Sequence, residues 1–195
     1  MPDVANDAEP GLPHGLVHGR KPRFRVGIVY KTLPHYRRSF FLILERVLAE
    51  DGIELVLVHG EPYGLSRAKR DWASIPGARV IANRVIRLGR SEIIWQPCLE
   101  EMRRCDLVVA EQASKLLANY VFHAWSLLGV RKFALWGHGR NLQRHDAHPL
   151  AELLKRRLLR SCDWWFAYTD ETKAYLAASE RIQASSSHQT QPRQH

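Results

Sequence analysis

Short apolar runs alternate with longer stretches whose apolar residues recur at helical spacing, and that alternation organises the chain. Phe24 to Tyr30 (FRVGIVY) is rich in β-branched residues, as expected of a strand buried on both faces. A turn over Lys31 to Tyr36 contains Pro34, and Arg37 to Asp51 then follows a helical pattern in which Phe40, Leu44, Val47 and Leu48 share a face. Gly52 stops that helix and Ile53 to Val58 is a second strand. Gly60 to Gly77 reads as a loop region, with strand candidates at Arg79 to Asn83 and Val85 to Leu88. Pro97 to Arg104 reads as a short helix and Asp106 to Glu111 (DLVVAE) as a strand. Ser114 is placed to cap a largely apolar helix that runs to Leu128, with Gly129 after it. Arg131 to Trp136 is a further strand, Pro149 to Arg160 a helix, and Asp163 to Tyr168 a last strand. Thr169 or Asp170 caps a final helix to Ala178.

Strands separated by helices imply βαβ units with right-handed crossovers. The expected fold is α/β, a Rossmann-like three-layer sandwich with a mostly parallel sheet. It spans residues 23–182, between a disordered polar leader (1–22) and a disordered Ser/Gln-rich tail (183–195).

Composition narrows the class. Of 195 residues, 45% are hydrophobic and 25% charged, the profile of a globular domain able to bury a core. No apolar run has the length of a membrane-spanning helix. Cys98, Cys105 and Cys162 lack metal-site spacing and flank apolar segments, so buried thiols in a reducing, cytoplasmic setting are expected. The net charge of +9 favours anionic partners. Trp95, Trp125, Trp164 and Trp165 lie in or beside apolar segments and are assigned mostly to the core. That weakens the case for a base-stacking platform, and nucleic acid is not expected as a partner. Arg84, Arg87, Arg90, Arg103, Arg104 and the basic side of the 149–160 helix stay open between a peripheral membrane face and an ordinary solvated surface.

In open α/β sheets, ligands bind beyond the carboxyl ends of the strands. That rule points to three loops: Lys31 to Arg37, Glu111 to Ser114, and Gly137 to Gln143. In the last, His138 sits between Gly137 and Gly139, where an imidazole can take a proton or bind a hydroxyl or phosphate, and Arg140 and Asn141 add a cation and an amide. A structural turn with an exposed histidine is the competing reading. Glu111 can hold a hydroxyl or orient a base, or be an ordinary strand-end acid, and no acid/base pair is defined by spacing. The first loop has no GxGxxG and no Walker lysine, so neither NAD nor ATP is expected as a cofactor.

Four segments, RVGIVYKTLPHYRRSFF, DLVVAEQ, FALWGHGRN and LLKRRLLRSCDWWFAYTDETKAYL, resemble in order and spacing the N-terminal domain of family 4 glycosyltransferases, retaining enzymes of the GT-B fold. The resemblance covers residues 24–182. It implies one half of a GT-B enzyme, the half that holds the acceptor, lipid-linked acceptors among them. A C-terminal domain would hold the nucleotide sugar, and no metal or other cofactor is required. Carried over by position, His138 and Glu111 are the catalytic candidates. Thr32, Pro34, Tyr36, Arg37, Gly137, Gly139, Arg140 and Asn141 are the acceptor-binding candidates. The sequence departs from the pattern in the first loop, where Lys31-Thr32-Leu33-Pro34 replaces a Gly-Gly pair. No counterpart of the donor domain follows Ile182, an ending expected of a truncated or frameshifted reading frame. The implied location is the cytoplasm, with the inner membrane face open to it. A non-catalytic module of the same fold that binds a glycan or lipid acceptor is the alternative.

Overall fold

The computed structural model describes residues 21–63, 72–88, 91–137, 162–167 and 169–170. Residues 1–20 of the leader, the tail, the 149–160 helix, the final helix beyond Asp170 and residues His138, Gly139, Arg140 and Asn141 lie outside the described residues. Six strands form one all-parallel sheet: β1 (Phe24–Tyr30), β2 (Ile53–Gly60), β3 (Arg79–Ile81), β6 (Leu107–Glu111), β7 (Lys132–Gly137) and β8 (Trp164–Ala167). Their order is β3-β2-β1-β6-β7-β8. Between β3 and β6 the chain makes a separate antiparallel hairpin, β4 (Arg84–Leu88) with β5 (Ser91–Trp95). Three α-helices are described: α1 (Arg38–Glu50), α2 (Leu99–Arg103) and α3 (Leu117–Leu127). This is the expected Rossmann-like α/β sandwich. No described helix is long and apolar enough to cross a membrane.

Each sheet face carries its own core, because successive side chains of a strand point to opposite faces. On one face Val29, Val58, Val108, Ala110, Phe133 and Leu135 pack against Met102 of α2 and Ala118 and Phe122 of α3. On the other, Ile28, Tyr30, Leu55, Leu57 and Val109 pack against Leu33 and Phe41. Each such large side chain contributes roughly 1.5–3 kcal/mol of transfer free energy. Gly52 and Gly129 take positive φ, 73° and 67°, just past the ends of α1 and α3, the left-handed exit that glycine permits.

Several expectations need correction. The buried side of α1 is built on Phe41, with Leu42, Leu44 and Leu48 packed against the core, while Phe40 and Val47 are exposed. Arg37 belongs to a 3-10 turn, His35–Arg37, that precedes the helix. β2 runs on to Gly60. β5 was not expected, and β4 pairs with it and not with the main sheet. Ser114 does not cap α3, whose N-cap is Leu116 without a side-chain hydrogen bond. The Ser114 carbonyl instead accepts a hydrogen bond of 2.9 Å from the Tyr120 hydroxyl. Trp125 and Trp165 do pack on the core, but Trp164 is exposed. None of the three thiols is in a disulfide. Burial pushes Cys98 and Cys105 up to about 12 and Cys162 up to about 11, as inert packed cysteines require.

Candidate functional site

The strand order reverses beside β1. The first connection carries the chain to β2 on one side, and the later chain enters β6 on the other. Loops leaving β1 and β6 therefore diverge and open a crevice at their carboxyl ends, the topological switch point of such sheets. Lys31 follows β1 and Glu111 ends β6. The Lys31 backbone N–H donates to Glu111 Oε2 at 3.2 Å, so the carboxylate is held inside the crevice.

Three side-chain amides fix this rim. Asn83 Nδ2 donates to the carbonyl of Lys31 at 2.9 Å and to that of Glu61 at 3.1 Å. Gln96 Nε2 donates to the Tyr30 carbonyl at 3.0 Å, and Asn119 Nδ2 to the Glu111 carbonyl at 2.9 Å. Strand-end carbonyls have no ladder partner, and a buried one left unpaired is costly, so these amides stabilise the loop exits. Each amide leaves its own oxygen buried without a protein donor among the described residues. These oxygens lie beneath the rim, closed off from its surface.

Charge gathers at the same place. Burial lowers the pKa of the Lys31 ammonium, the nearby Lys115 lowers it further, and Glu111 and Glu92 oppose the shift. Lys31 Nζ lies 5.9 Å from the Tyr63 ring centre. The Tyr63 hydroxyl is pushed up by burial and then by Glu92 and Glu111. Lys31, Tyr63, Glu92, Glu111 and Lys115 therefore form one electrostatic group of donors and carboxylates around the crevice.

The third loop joins the same rim. The Gln112 N–H donates to the Trp136 carbonyl at 2.8 Å, and a Cβ on Gly137 would stand 2.6 Å from Gln112 Cβ, so the backbones approach as only glycine allows. Arg37 reaches across from α1's entry, its guanidinium 5.3 Å from the Trp136 ring, 5.5 Å from Tyr36 and 5.9 Å from Tyr30. Pro34 accepts from the Arg37 N–H at 3.0 Å and shapes that turn.

Of the residues singled out in the sequence, Glu111, Thr32, Pro34, Tyr36, Arg37 and Gly137 all stand in the loops of this edge or at the strand ends that feed them. Lys31, Tyr63, Asn83, Glu92, Gln96, Lys115 and Asn119 were not among the sequence candidates. A polar residue two positions past a short strand, as Asn83 stands after β3, is the signal that could have found one of them. His59, beside this edge, is buried with Nδ1 3.3 Å from the Gly60 carbonyl, and burial lowers its pKa. Among the described residues no His, Cys, Asp and Glu gather as three potential metal ligands.

Two recesses lie elsewhere. One is a void of about 10 Å³ lined by Phe41, Leu55, Leu57 and Ile75, a packing defect. The other, about 180 Å³, is lined by Asp106, Ser126 and Lys132 at the amino ends of the strands. Acids at that end are engaged by their neighbours: Asp106 accepts from the Arg25 N–H at 2.8 Å, and Asp163 accepts from Lys132, Ser126 and the Phe133 N–H. The carboxyl-edge crevice is the better candidate.

No protein-family model matches the chain, and no curated protein matches it. Among solved structures it is similar to the UDP-GlcNAc 2-epimerase of Methanocaldococcus jannaschii, at 15% identity and a TM-score of 0.44 over 80% of this chain. The chain spans 42% of that enzyme's length. A likeness of that degree carries nothing about substrate or reaction.

Proposed function

We propose that this domain is the acceptor-side half of a retaining, GT-B sugar-transferring enzyme of the family 4 type. It binds a hydroxyl-bearing acceptor in the crevice between β1 and β6. The observation that supports the reading is the contact of Lys31 with Glu111 at the switch point, in loop exits held by side-chain amides and without a glycine-rich phosphate loop. Glu111 accepts a hydrogen bond from an acceptor hydroxyl. Lys31 and Arg37 bind hydroxyl or phosphate oxygens. His138, bonded directly to Gly137, enters the site in the same reading as the residue nearest the transferred sugar, with Gly139, Arg140 and Asn141 beside it. The nucleotide sugar belongs to a facing domain, and the acceptor is cytoplasmic or presented at the inner membrane face.

The reading is tested by titrating the isotope-labelled chain with methyl glycosides and, separately, with a panel of nucleotides and nucleotide sugars, following backbone amides by NMR. Glycosides are expected to move Lys31, Thr32 and Gln112. Glu111→Gln, which keeps an acceptor for the Lys31 N–H, weakens that binding about tenfold by removing a charge-assisted bond. Tight binding of a nucleotide sugar, with no response to glycosides, overturns the assignment of the acceptor to this domain.

A further inference from the structure

The β4–β5 hairpin stands outside the main sheet, yet it is tied to both lips of the crevice. Asn83, just before β4, and Gln96, just after β5, donate to the carbonyls of Lys31 and Tyr30 at the end of β1. On the other lip, the Ile94 N–H donates to the Lys115 carbonyl at 2.8 Å, and Ile94 bridges to Leu116 in the run from β6 into α3. Alternation then settles which hairpin side chains face inward. Gln96 and Ile94 are buried, so Glu92, two residues before Ile94, shares their face. Arg87 lies opposite Glu92 and Val85 opposite Ile94 on that same face. Ile86, on the outer face, is 50% exposed. Glu92 therefore emerges from the anchored base of the hairpin toward the crevice, where Lys31 and Tyr63 both feel its charge.

Among the described residues the one ion pair of Glu92 is with Arg87, at 3.6 Å, beyond hydrogen-bond length, and the Glu92 side chain is 37% exposed. Its oxygens can therefore accept from a ligand. Glu111 supplies a second carboxylate from the end of β6, while Lys31, Lys115 and the Tyr63 hydroxyl supply donors. Two carboxylates set against two ammoniums leave no surplus charge for an anion. They suit hydroxyl groups, each of which both donates and accepts. The Tyr63 ring adds apolar surface that the C–H face of a sugar can cover. We propose that the β4–β5 hairpin is the specificity element of the crevice. Glu92 accepts from a second hydroxyl of an uncharged sugar ring whose first hydroxyl is bound by Glu111. Asn83 and Gln96 fix both legs of the hairpin on the strand end that carries Lys31, so the two carboxylates are set against each other through the backbone. This inference rests on the sugar-acceptor reading and adds to it the charge of the ligand and a second wall of the site.

The test is an amide titration of the full isotope-labelled chain with methyl hexopyranosides, their monodeoxy derivatives and a sugar phosphate, run on the parent and on Glu92→Gln. The variant keeps the shape of a partly exposed side chain, and circular dichroism should report an intact fold. It is expected to bind the glycosides about tenfold more weakly, through loss of a charge-assisted bond. One monodeoxy glycoside should lose about tenfold against the parent but only about twofold against the variant, a coupling that a merely structural role of Glu92 would not produce. The sugar phosphate should bind the parent about tenfold more weakly than the glycoside. Equal glycoside affinity in parent and variant, with Lys31, Thr32 and Gln112 still responding, overturns the role of the hairpin and leaves the acceptor reading standing. Deoxy losses that are equal in the two proteins do the same. A sugar phosphate that binds more tightly than the glycoside overturns the uncharged ligand. No response to any glycoside overturns both this inference and the reading beneath it.

Discussion

Gly60→Ala strikes the rim through a residue that carries no chemistry. A Cβ on Gly60 would stand 2.0 Å from Asn83 Nδ2 and 2.4 Å from its Cγ, far inside contact distance. Gly60 is fixed in the ladder opposite Ile81, so the asparagine must leave. It then loses its bonds to the carbonyls of Lys31 and Glu61. Overpacking typically costs about 1–3 kcal/mol. Two net hydrogen bonds add about 0.5–1.5 kcal/mol each. The two costs overlap, because moving the amide relieves the clash, so ~3 kcal/mol is expected. For a chain of this size, each kcal/mol lowers Tm by about 2–4 °C, giving a fall of roughly 6–12 °C. Urea and thermal unfolding followed by circular dichroism measure it. The decisive control is the cycle with Asn83→Ala. Once the amide is gone that clash is gone with it, so the double variant should be more stable than additivity predicts by about 1–2 kcal/mol. Strictly additive effects, or Gly60→Ala within about 0.5 kcal/mol of the parent, would refute this account of the rim.

At the opposite edge, partial burial pushes the Asp163 carboxyl up, but hydrogen bonds from Lys132, Ser126 and the Phe133 N–H outweigh it and leave the pKa below its ordinary 3.8. A lowered acid stabilises the fold above its unfolded value and loses that contribution as pH falls through its folded value. Asp163→Asn should therefore cost about 1–2 kcal/mol at neutral pH, a gap that closes in strong acid. A gap that urea denaturation finds equal at both pH values would contradict the assignment. The thiols of Cys98, Cys105 and Cys162, pushed up to about 12, 12 and 11, should react with Ellman's reagent only after urea unfolds the chain, and fast labelling of the native protein would show that the fold does not bury them.

β1 and β6 were legible because they are central strands with both faces covered, so FRVGIVY and DLVVAE had to be nearly continuous apolar runs. The β4–β5 hairpin was not, since Arg84, Arg87 and Glu92 break its alternation and it stands outside the main sheet. For α1, periodicity found the helix and placed Leu44 and Leu48 on the packed side, but put Phe40 and Val47 there in place of Phe41. With Phe40 and Phe41 adjacent and apolar residues on two stripes, sequence spacing alone cannot say which stripe meets the sheet. Tyr30 and Trp136 decide it by receiving Phe41 edge-on, at ring separations of 5.8 Å and 5.9 Å. The site divides in the same way. Glu111 and the Lys31–Arg37 loop follow from the rule about strand ends, which needs only strand order. Their clamps do not, because Asn83 and Gln96 reach Lys31 and Tyr30 across 52 and 66 residues. Those amides arrive on the chain's excursion between β3 and β6, so the crevice takes its shape only after that excursion has folded back over β1. The rim should accordingly be the last part of the sheet to gain protection from hydrogen exchange, later than the centres of β1 and β6 that it joins.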